Sequence, residues 1–529
     1  MAKQASTLSK IKVDIPSDLT EQYIQRLLGL PKSVKTDYLH SEMLTKFVSR
    51  DTDPPEQRRA RAIEKWLSTE SRNEVTNERL IQTSPDFQIF RGVDYSDFMA
   101  FASGLVIQII GEVPPEEALI GAFSGGASTS RLRTASHPAA KYVGKAHVTS
   151  RAREVWSELS DLIPIWLGEQ ADPLEIEEVC GNVLFTVPKK TDIDRVACKE
   201  PDLNMYVQKG IGNYFRKCLL RHRINLNDQS INRSLARLGS INNSLSTLDL
   251  SSASDSVSRE LVFQLLPVFW HTLLDSVRSP VTVIDGVEHR NEMFSSMGNG
   301  FTFELETLVF YVLARTTAYF RGVPGVISVY GDDIICPRGI SEDLTWVLNY
   351  FGFEVNTKKS FVEGPFRESC GGHYYNGFDI TPFYIRKPLD NLIDVIHAAN
   401  QLRQWAQFDS TKYRGISPYV EILNPEVEDL WLWLKSFVPD ILWGGVDTSF
   451  KYQLVSSDTP RYRITEDTQK RGTGYGGYLH WLNATWERNS LNEAVETSRH
   501  SRGTGIYRIR KAFPSPVDRL LHHFYHEVM

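Results

Sequence analysis

The chain has 529 residues, too many for one ordinary hydrophobic core, so several subdomains sharing clefts are expected. Hydrophobic residues at 41% and charged residues at 23% exclude a disordered or fibrous chain. A formal net charge of −6 does not by itself exclude a nucleic-acid partner, because the local distribution of basic residues decides that question.

The opening residues, MAKQASTLSKIKVDIPSDL, hold no apolar segment followed by a cleavage site, so no signal peptide is read. Residues 1 to about 90 read as helical and polar. Within them the charged stretch 56–65, EQRRARAIEK, has helical spacing and reads as a solvated face rather than an RNA-contacting one. The apolar runs 99–110 and 430–443 are too short, or too interrupted by Lys435 and Asp440, to span a bilayer, and are read as core. The loop 121–133, GAFSGGASTSRLR, is either a plain flexible loop or one that presents backbone N–H groups to phosphate.

Positive charge collects at 187–223. There Lys189, Lys190, Arg195, Lys199, Lys209, Arg216, Lys217, Arg221 and Arg223 outnumber Asp192, Asp194, Glu200 and Asp202. The β-branched residues before Pro188 point to a strand entering an exposed basic loop. Such a loop, upstream of a carboxylate strand, is what an incoming triphosphate needs, and a surface charge run is the plainer alternative.

Residues 245–250, LSTLDL, alternate like a half-buried strand and place Asp249 near its end. Asp255 follows after a Ser/Ala-rich turn that leads into an amphipathic helix over 256–270, where it is also a candidate helix-start residue. At 295–300, SSMGNG, glycines let the backbone approach a ligand while Ser and Asn supply neutral hydrogen-bonding groups; a helix starts at about Thr302.

The centre of the chain is 326–337, VISVYGDDIICP. Two β-branched runs, 326–329 and 334–335, flank Tyr330-Gly331-Asp332-Asp333, a buried hairpin with a tight Gly-Asp turn. Two adjacent carboxylates at the tip of apolar strands are costly to desolvate unless a cation neutralises them. With Asp249 beside them they make a three-carboxylate cluster suited to two Mg²⁺ ions, hard cations that take oxygen ligands and keep positions open for phosphate and water. That arrangement serves phosphoryl or nucleotidyl transfer, and a solvated turn is the bland alternative.

Beyond the hairpin, 341–351 reads as a helix with Ser341 as N-cap, and a strand at Val355 leads to Lys358 and Lys359. Tyr374-Tyr375 and Phe383-Tyr384-Ile385 bracket a turn, as a hairpin or as simple core. The remainder is helical in pattern and rich in Trp. Arg471-Gly-Thr-Gly474 and Arg502-Gly-Thr-Gly505 repeat, and the GxGxxG match at 472–477 lacks the strand-turn-helix context of a dinucleotide site. His522, His523 and His526 read as a frayed terminal helix rather than a metal site. The five cysteines, Cys180, Cys198, Cys218, Cys336 and Cys370, include no CxxC pair; neither zinc nor a disulfide framework is indicated, which fits a reducing cytoplasm.

Taken together, DLSSASDS at 249–256, SSMGNGFTFELE at 295–306, VYGDD at 329–333, NTKKSFVEGPFRESCGGHYY at 356–375 and TPFYIRKP at 381–388 resemble the catalytic subunit of the RNA-directed RNA polymerases of single-stranded RNA bacteriophages. The motifs stand in the family's order, and the similarity is densest over 187–388. The resemblance implies an α+β right-hand polymerase, with fingers in 1–244, a palm in 245–388 of which part of 275–295 projects into the fingers, and a helical thumb with a C-terminal extension in 389–529. It implies attack of a 3′-hydroxyl on the α-phosphate of a ribonucleoside triphosphate, with two Mg²⁺ ions, or Mn²⁺ or Ca²⁺ as substitutes, bridged by Asp249 and Asp332 and supported by Asp333.

By the same resemblance Lys189, Lys190 and Arg195 match a basic motif over the triphosphate, and Lys358 or Lys359 protonates the leaving pyrophosphate. Asp255 and Asn299, with Ser296 and Gly298 beside them, would read the ribose 2′-hydroxyl. One departure stands out: many RNA polymerases have Ser-Gly, then Thr, then Asn, where this chain has Met297-Gly298, Thr302 and Glu306, so Asn299 is expected to take the Asn role. The implied partners are RNA template and product, ribonucleoside triphosphates, host elongation factors Tu and Ts and a ribosomal RNA-binding protein, in the bacterial cytoplasm and with no membrane. Synthesis would start without a primer. A reverse transcriptase would share the carboxylates but not a 2′-hydroxyl reader. A nuclease has no need of the basic loop, and a non-catalytic RNA-binding protein has none for converging carboxylates.

Overall fold

A computed structural model describes residues 14–48, 53–142, 144–160, 174–189, 191–406, 425–438 and 454. Lys190, both Arg-Gly-Thr-Gly repeats and the three terminal histidines lie outside the described residues. The fold is α+β, as expected: helices interleaved with small, mostly antiparallel sheets. The chain divides into two compact units, Met1–Thr52 with Thr381–Met529, and Asp53–Ile380. Among the described residues no helix is long and apolar enough to cross a membrane.

In the first unit the helices Leu19–Leu28 and Val34–Glu42 share an apolar core with Leu392–Ala406 and Pro425–Ser436, built on Leu19, Leu27, Val395, Ala399, Leu402 and Leu434. Ser33 starts the second helix with a capping box: its Oγ accepts the Thr36 N–H at 3.1 Å, and Thr36 Oγ1 accepts the Ser33 N–H at 2.7 Å. Phe383 and Ile385 belong to this core, and the Ile385 N–H donates to the Met43 carbonyl at 2.9 Å. They do not form the expected hairpin with Tyr374-Tyr375. Gly372–Tyr375 instead pairs with Phe378–Asp379, because Asn376 (φ +49°) and Gly377 (φ +79°) supply the two left-handed residues that a two-residue turn needs.

The second unit is organised on the helix Thr302–Phe320, fourteen of whose nineteen residues are buried. A helix apolar nearly all round has to be enclosed. Tyr95–Ile110, Asp202–Arg221 and Ser341–Tyr350 enclose it. The apolar run 99–110 is thus core, as read. A three-stranded antiparallel sheet, in the order Ser328–Tyr330, Asp333–Pro337, Leu245–Leu248, lies on the same core.

A four-stranded sheet runs in the order Val287–Arg290, Val281–Ile284, Asn182–Pro188, Asp194–Lys199. The helix Pro55–Gln82 packs on its last strand, with Arg58 Nε 3.0 Å from Asp194 Oδ1 in a buried ion pair. The charged stretch 56–65 is therefore only partly solvated, since Arg58 and Ala62 are buried.

Three local expectations are corrected. The helix over 256–270 is broken into Arg259–Leu265 and Val268–Val277: Pro267 offers no N–H and forces Leu266 to extended angles (φ −86°, ψ 145°). Ser341 is not the N-cap but the first helical residue after Ile340, and its Oγ donates to the Arg338 carbonyl at 2.5 Å. The strand 245–250 is interrupted at Asp249: Leu245–Leu248 pairs with Asp333–Pro337, while Leu250–Ser251 turns to pair with Glu354–Val355.

Candidate active site

That interruption builds the site. The register Leu248↔Ile334 brings the next residue on one strand, Asp249, and the preceding residue on the other, Asp333, out at the same end of the sheet. Tyr330 pairs with Asp333, so Gly331 and Asp332 alone form the turn. Gly331 takes φ +58°, and a β-carbon there would fall 2.4 Å from Phe303 Cε2, so only glycine fits. The Gly331 N–H donates to Thr307 Oγ1 at 3.0 Å, which anchors the turn on the Thr302–Phe320 helix.

Asp249 is held by the turn 356–360. Its N–H donates to Ser360 Oγ at 3.0 Å, Asn356 Nδ2 donates to Oδ2 at 2.8 Å, and Lys359 Nζ lies 3.9 Å from Oδ1. Burial raises the Asp249 carboxyl above its ordinary range, and the Asp332 charge adds to this against Lys359 and Asn356. Asp333, half-buried, is pushed up to about 6, chiefly by burial, with the Asp332 and Asp249 charges adding. Among the described residues no three His, Cys, Asp or Glu side chains already form a ligand set. Oxygen donors that repel one another at a sheet end nonetheless have the chemistry of a divalent-cation site, since a cation relieves both the burial and the repulsion.

Asp255 lies in the 3₁₀ turn Ser254–Ser256 and caps no helix, which removes its reading as a helix start. Its backbone carbonyl accepts Asn73 Nδ2 at 2.7 Å. Burial, then the Glu70 charge, push its carboxyl up to about 7, while the charges of Lys65, Arg195 and Lys189 pull the other way. Arg195 pairs with Val187 in the hairpin whose connecting loop starts at Lys189, and both cations are exposed.

Ser296, Gly298 and Asn299 lie on a segment laid along the strand Asp194–Lys199. The Cys198 N–H donates to the Met297 carbonyl at 2.8 Å, and a β-carbon on Gly298 (φ +124°) would fall 2.1 Å from the Cys198 carbonyl oxygen. Buried Ser296 receives Asn182 Nδ2 at 3.0 Å, and Asn299 Oδ1 accepts the Phe301 N–H at 2.9 Å. Asp255 Oδ1 and Asn299 Nδ2 are both buried with no hydrogen-bond partner. One is an acceptor and the other a donor, and orphaned polar atoms of this kind call for a ligand.

Comparison with known proteins settles the family. A model described as RNA replicase, beta-chain, matches residues 7–471. The chain belongs to the RNA replicase beta-chain family. It is 37% identical to the RNA-directed RNA polymerase beta chain of Escherichia phage MS2 over 89% of this chain and 88% of that one. It is 39% identical to the RNA-directed RNA polymerase subunit beta of Escherichia virus Qbeta over 74% of this chain and 68% of the other. Among solved structures it is similar to the RNA-dependent RNA polymerase of a human picobirnavirus at 18% identity and a TM-score of 0.33, over 50% and 58% of the two chains, a likeness too slight to bear on the fold. As a member of this family the chain is an RNA-directed RNA polymerase that joins ribonucleotides on an RNA template.

Several buried residues of the replicase escape sequence reading. Lys141, buried, donates from Nζ to the Ser124 and Gly126 carbonyls at 2.8 and 2.7 Å, which ties down the 121–133 loop that had read as flexible or phosphate-facing. Glu200, buried, accepts Asn182 Nδ2 at 2.7 Å and Gln208 Nε2 at 3.0 Å, and Gln208 Oε1 in turn receives the Gly300 N–H at 3.1 Å. Arg367 and Glu306 are buried as well. All five cysteines are free.

The geometry separates the two candidate lysines. Both are exposed, but Lys359 Nζ lies 3.9 Å from Asp249, whereas the contact of Lys358 on the same turn is made by its backbone N–H, to Asn356 Oδ1 at 3.2 Å. Lys359→Ala is expected to slow single-turnover nucleotide addition by about 10²-fold, in the range of general-acid catalysis, and Lys358→Ala by less than about threefold. Rapid-quench measurements decide this, and equal losses would show that proximity to Asp249 is not what matters.

Proposed function

We propose that Asp249, Asp332 and Asp333 hold the divalent cations for attack of an RNA 3′-hydroxyl on the α-phosphate of an incoming ribonucleoside triphosphate. The observation that carries this reading is the register that brings Asp249 out beside Asp333 at the base of the Gly331-Asp332 turn. Bound there, Mg²⁺, or Mn²⁺ or Ca²⁺ in its place, would lower the pKa of the attacking hydroxyl and neutralise charge on the departing pyrophosphate.

The chain's own groups do the rest. Lys189 and Arg195, with Lys190 next in the sequence, balance the triphosphate charge on the side of Asp255, where burial would otherwise leave the acid unopposed. Asp255 accepts from the ribose 2′-hydroxyl and Asn299 donates to it, which satisfies the two orphaned atoms at once. Ser296 and Gly298 hold Asn299 in place through the strand Asp194–Lys199. Lys359 delivers a proton to the pyrophosphate.

In this reading residues 245–388 are the palm, 1–244 carry the fingers and 389–529 the thumb with its extension. The enzyme initiates without a primer in the bacterial cytoplasm, in complex with host elongation factors Tu and Ts and a ribosomal RNA-binding protein. The test supplies RNA template, Mg²⁺ and labelled ribo- or deoxynucleotides with those host proteins present. Product lengthening with ribonucleotides alone is expected. Lengthening with deoxynucleotides would make the enzyme a reverse transcriptase, and shortening of the RNA a nuclease; either overturns the reading.

A further inference from the structure

Asn232 is buried on the helix Ser230–Asn242, whose other buried residues are Ala236, Gly239 and Ser240. Its amide reaches three separate elements. Oδ1 accepts from Ser328 Oγ at 2.6 Å, on the first strand of the carboxylate hairpin. Nδ2 donates to the Asp333 carbonyl at 3.3 Å and to Ser369 Oγ at 3.4 Å, and Ser369 Oγ donates in turn to Asp333 Oδ1 at 3.3 Å. Because a carbonyl can only accept, the Asp333 contact fixes which end of the amide faces Asp333 and which faces Ser328. The result is a relay that runs in one direction, from hydroxyl to amide to hydroxyl to carboxylate.

Ser369 ends the strand Phe366–Ser369, which pairs with Gly372–Tyr375 through a turn made by Cys370 (φ +49°) and Gly371 (φ +69°). The Cys370 N–H also donates to the Asp333 carboxyl. The next residue of the helix, Arg233, holds the same turn, its Nε donating to the Cys370 carbonyl at 3.0 Å. Two successive helix residues thus grip the turn that grips Asp333. Packing alone does not ask for this. A helix laid on a sheet needs only small or apolar residues at the contact, as Ala236 and Gly239 supply, whereas a buried amide costs free energy unless both its ends are bonded.

We propose that Asn232 and Ser369 are positioning residues for the divalent cation: they fix the direction of the Asp333 carboxylate, and so set the affinity of the site for the cation more than the rate of the loaded enzyme. The inference rests on the reading of Asp333 as a cation ligand. A carboxylate held at one oxygen by a fixed donor keeps one orientation, and partners that orient a metal ligand are worth about 10- to 100-fold in affinity. At 3.3 to 3.4 Å the side-chain bonds nearest Asp333 are long ones, which puts the expected effect at the lower end of that range.

The experiment compares Ser369→Ala, Asn232→Ala, Asp333→Ala and the Ser369→Ala/Asp333→Ala pair in the complete polymerase with its host proteins, which contribute the same background to every variant. One readout is the Mg²⁺ dependence of nucleotide addition; the other is Mn²⁺ binding without substrates, followed by loss of the free-ion electron paramagnetic resonance signal. Ser369→Ala and Asn232→Ala are each expected to raise the Mg²⁺ concentration for half-maximal synthesis by about tenfold and to weaken Mn²⁺ binding by a similar factor, with kcat at saturating Mg²⁺ within about threefold of the parent. The double variant should bind Mn²⁺ no more weakly than Asp333→Ala, because the hydroxyl acts through that carboxylate. Should Asn232→Ala fail to fold for want of an acceptor for Ser328, Ser369→Ala carries the test. Weakened binding in Asp333→Ala with parent affinity in Ser369→Ala and Asn232→Ala, or a loss confined to kcat in those two, would overturn the positioning role alone. Parent affinity in Asp333→Ala would overturn the ligand reading beneath it.

Discussion

Asp249→Asn and Asp332→Asn are each expected to lower RNA synthesis by at least about 10³-fold, since either removes an oxygen charge from the point where phosphate charge must be balanced. Loss of fold is not the cause. Asp333 is pushed up to about 6 by burial and by its neighbours' charges, so the folded protein carries an electrostatic cost that the unfolded chain does not. The sign follows from the raised value: stability is fully retained below the unfolded value near 3.8, where the group is protonated in both states, and is lost as pH rises through about 6.

Asp333→Asn should therefore raise the thermal midpoint of the metal-free protein at pH 8 and leave it unchanged near pH 4. Mg²⁺ should raise the parent midpoint more at pH 8 than at pH 5, and should do little for Asp249→Asn or Asp332→Asn. An Asp332→Asn enzyme that synthesises RNA at the parent rate would remove the carboxylates from the mechanism. A parent midpoint indifferent to Mg²⁺ at pH 8 would remove the cation from the site. Higher stability with lost activity is the general signature of a site kept under electrostatic load for function.

The parts of this arrangement that were legible in sequence are those whose cause is local. Alternation and a turn in 326–337 suffice for the carboxylate hairpin, and an apolar run starting near Thr302 suffices for the helix behind it. The broken helix was legible too, since Pro267 stands inside the amphipathic period that predicts 256–270 as one piece. Asn376-Gly377 likewise announces the hairpin that the aromatic pattern assigned to Phe383–Ile385.

Glu306 and Lys141 were not legible. The Ser254 partner of Glu306 is 52 residues away, and Lys141 bonds backbone carbonyls, which any sequence supplies. Nor does local pattern say that Leu245–Leu248 and Leu250–Ser251 part company at Asp249. That follows from which strands are available to pair, Asp333–Pro337 on one side and Glu354–Val355 on the other.

Arg367→Leu is expected to cost on the order of 3 kcal/mol or more of stability, because it strands several buried carbonyls at once. Arg367 is fully buried, and among the described residues no carboxylate lies within ion-pair distance of it. Its guanidinium donates to the carbonyls of Leu245 at 2.7 Å, Val362 at 2.9 Å, Gly364 at 2.9 Å and Phe366 at 2.6 Å, and to Asn243 Oδ1 at 2.6 Å. Burial, and after it the Arg338 charge, lower its pKa, and the carbonyl dipoles are what keep the charge in place. Two of these acceptors, Asn243 and Leu245, lead into the strand that ends at Asp249, so the same fork that stabilises the fold sets where the first carboxylate emerges. Arg367→Lys keeps the charge but presents three donors from one point in place of a planar fork, so it should recover less than half of the loss. Urea and thermal melts measure both variants. A drop in midpoint below about 1 °C for Arg367→Leu would show that water replaces the guanidinium in the cavity and that the carbonyls were never stranded.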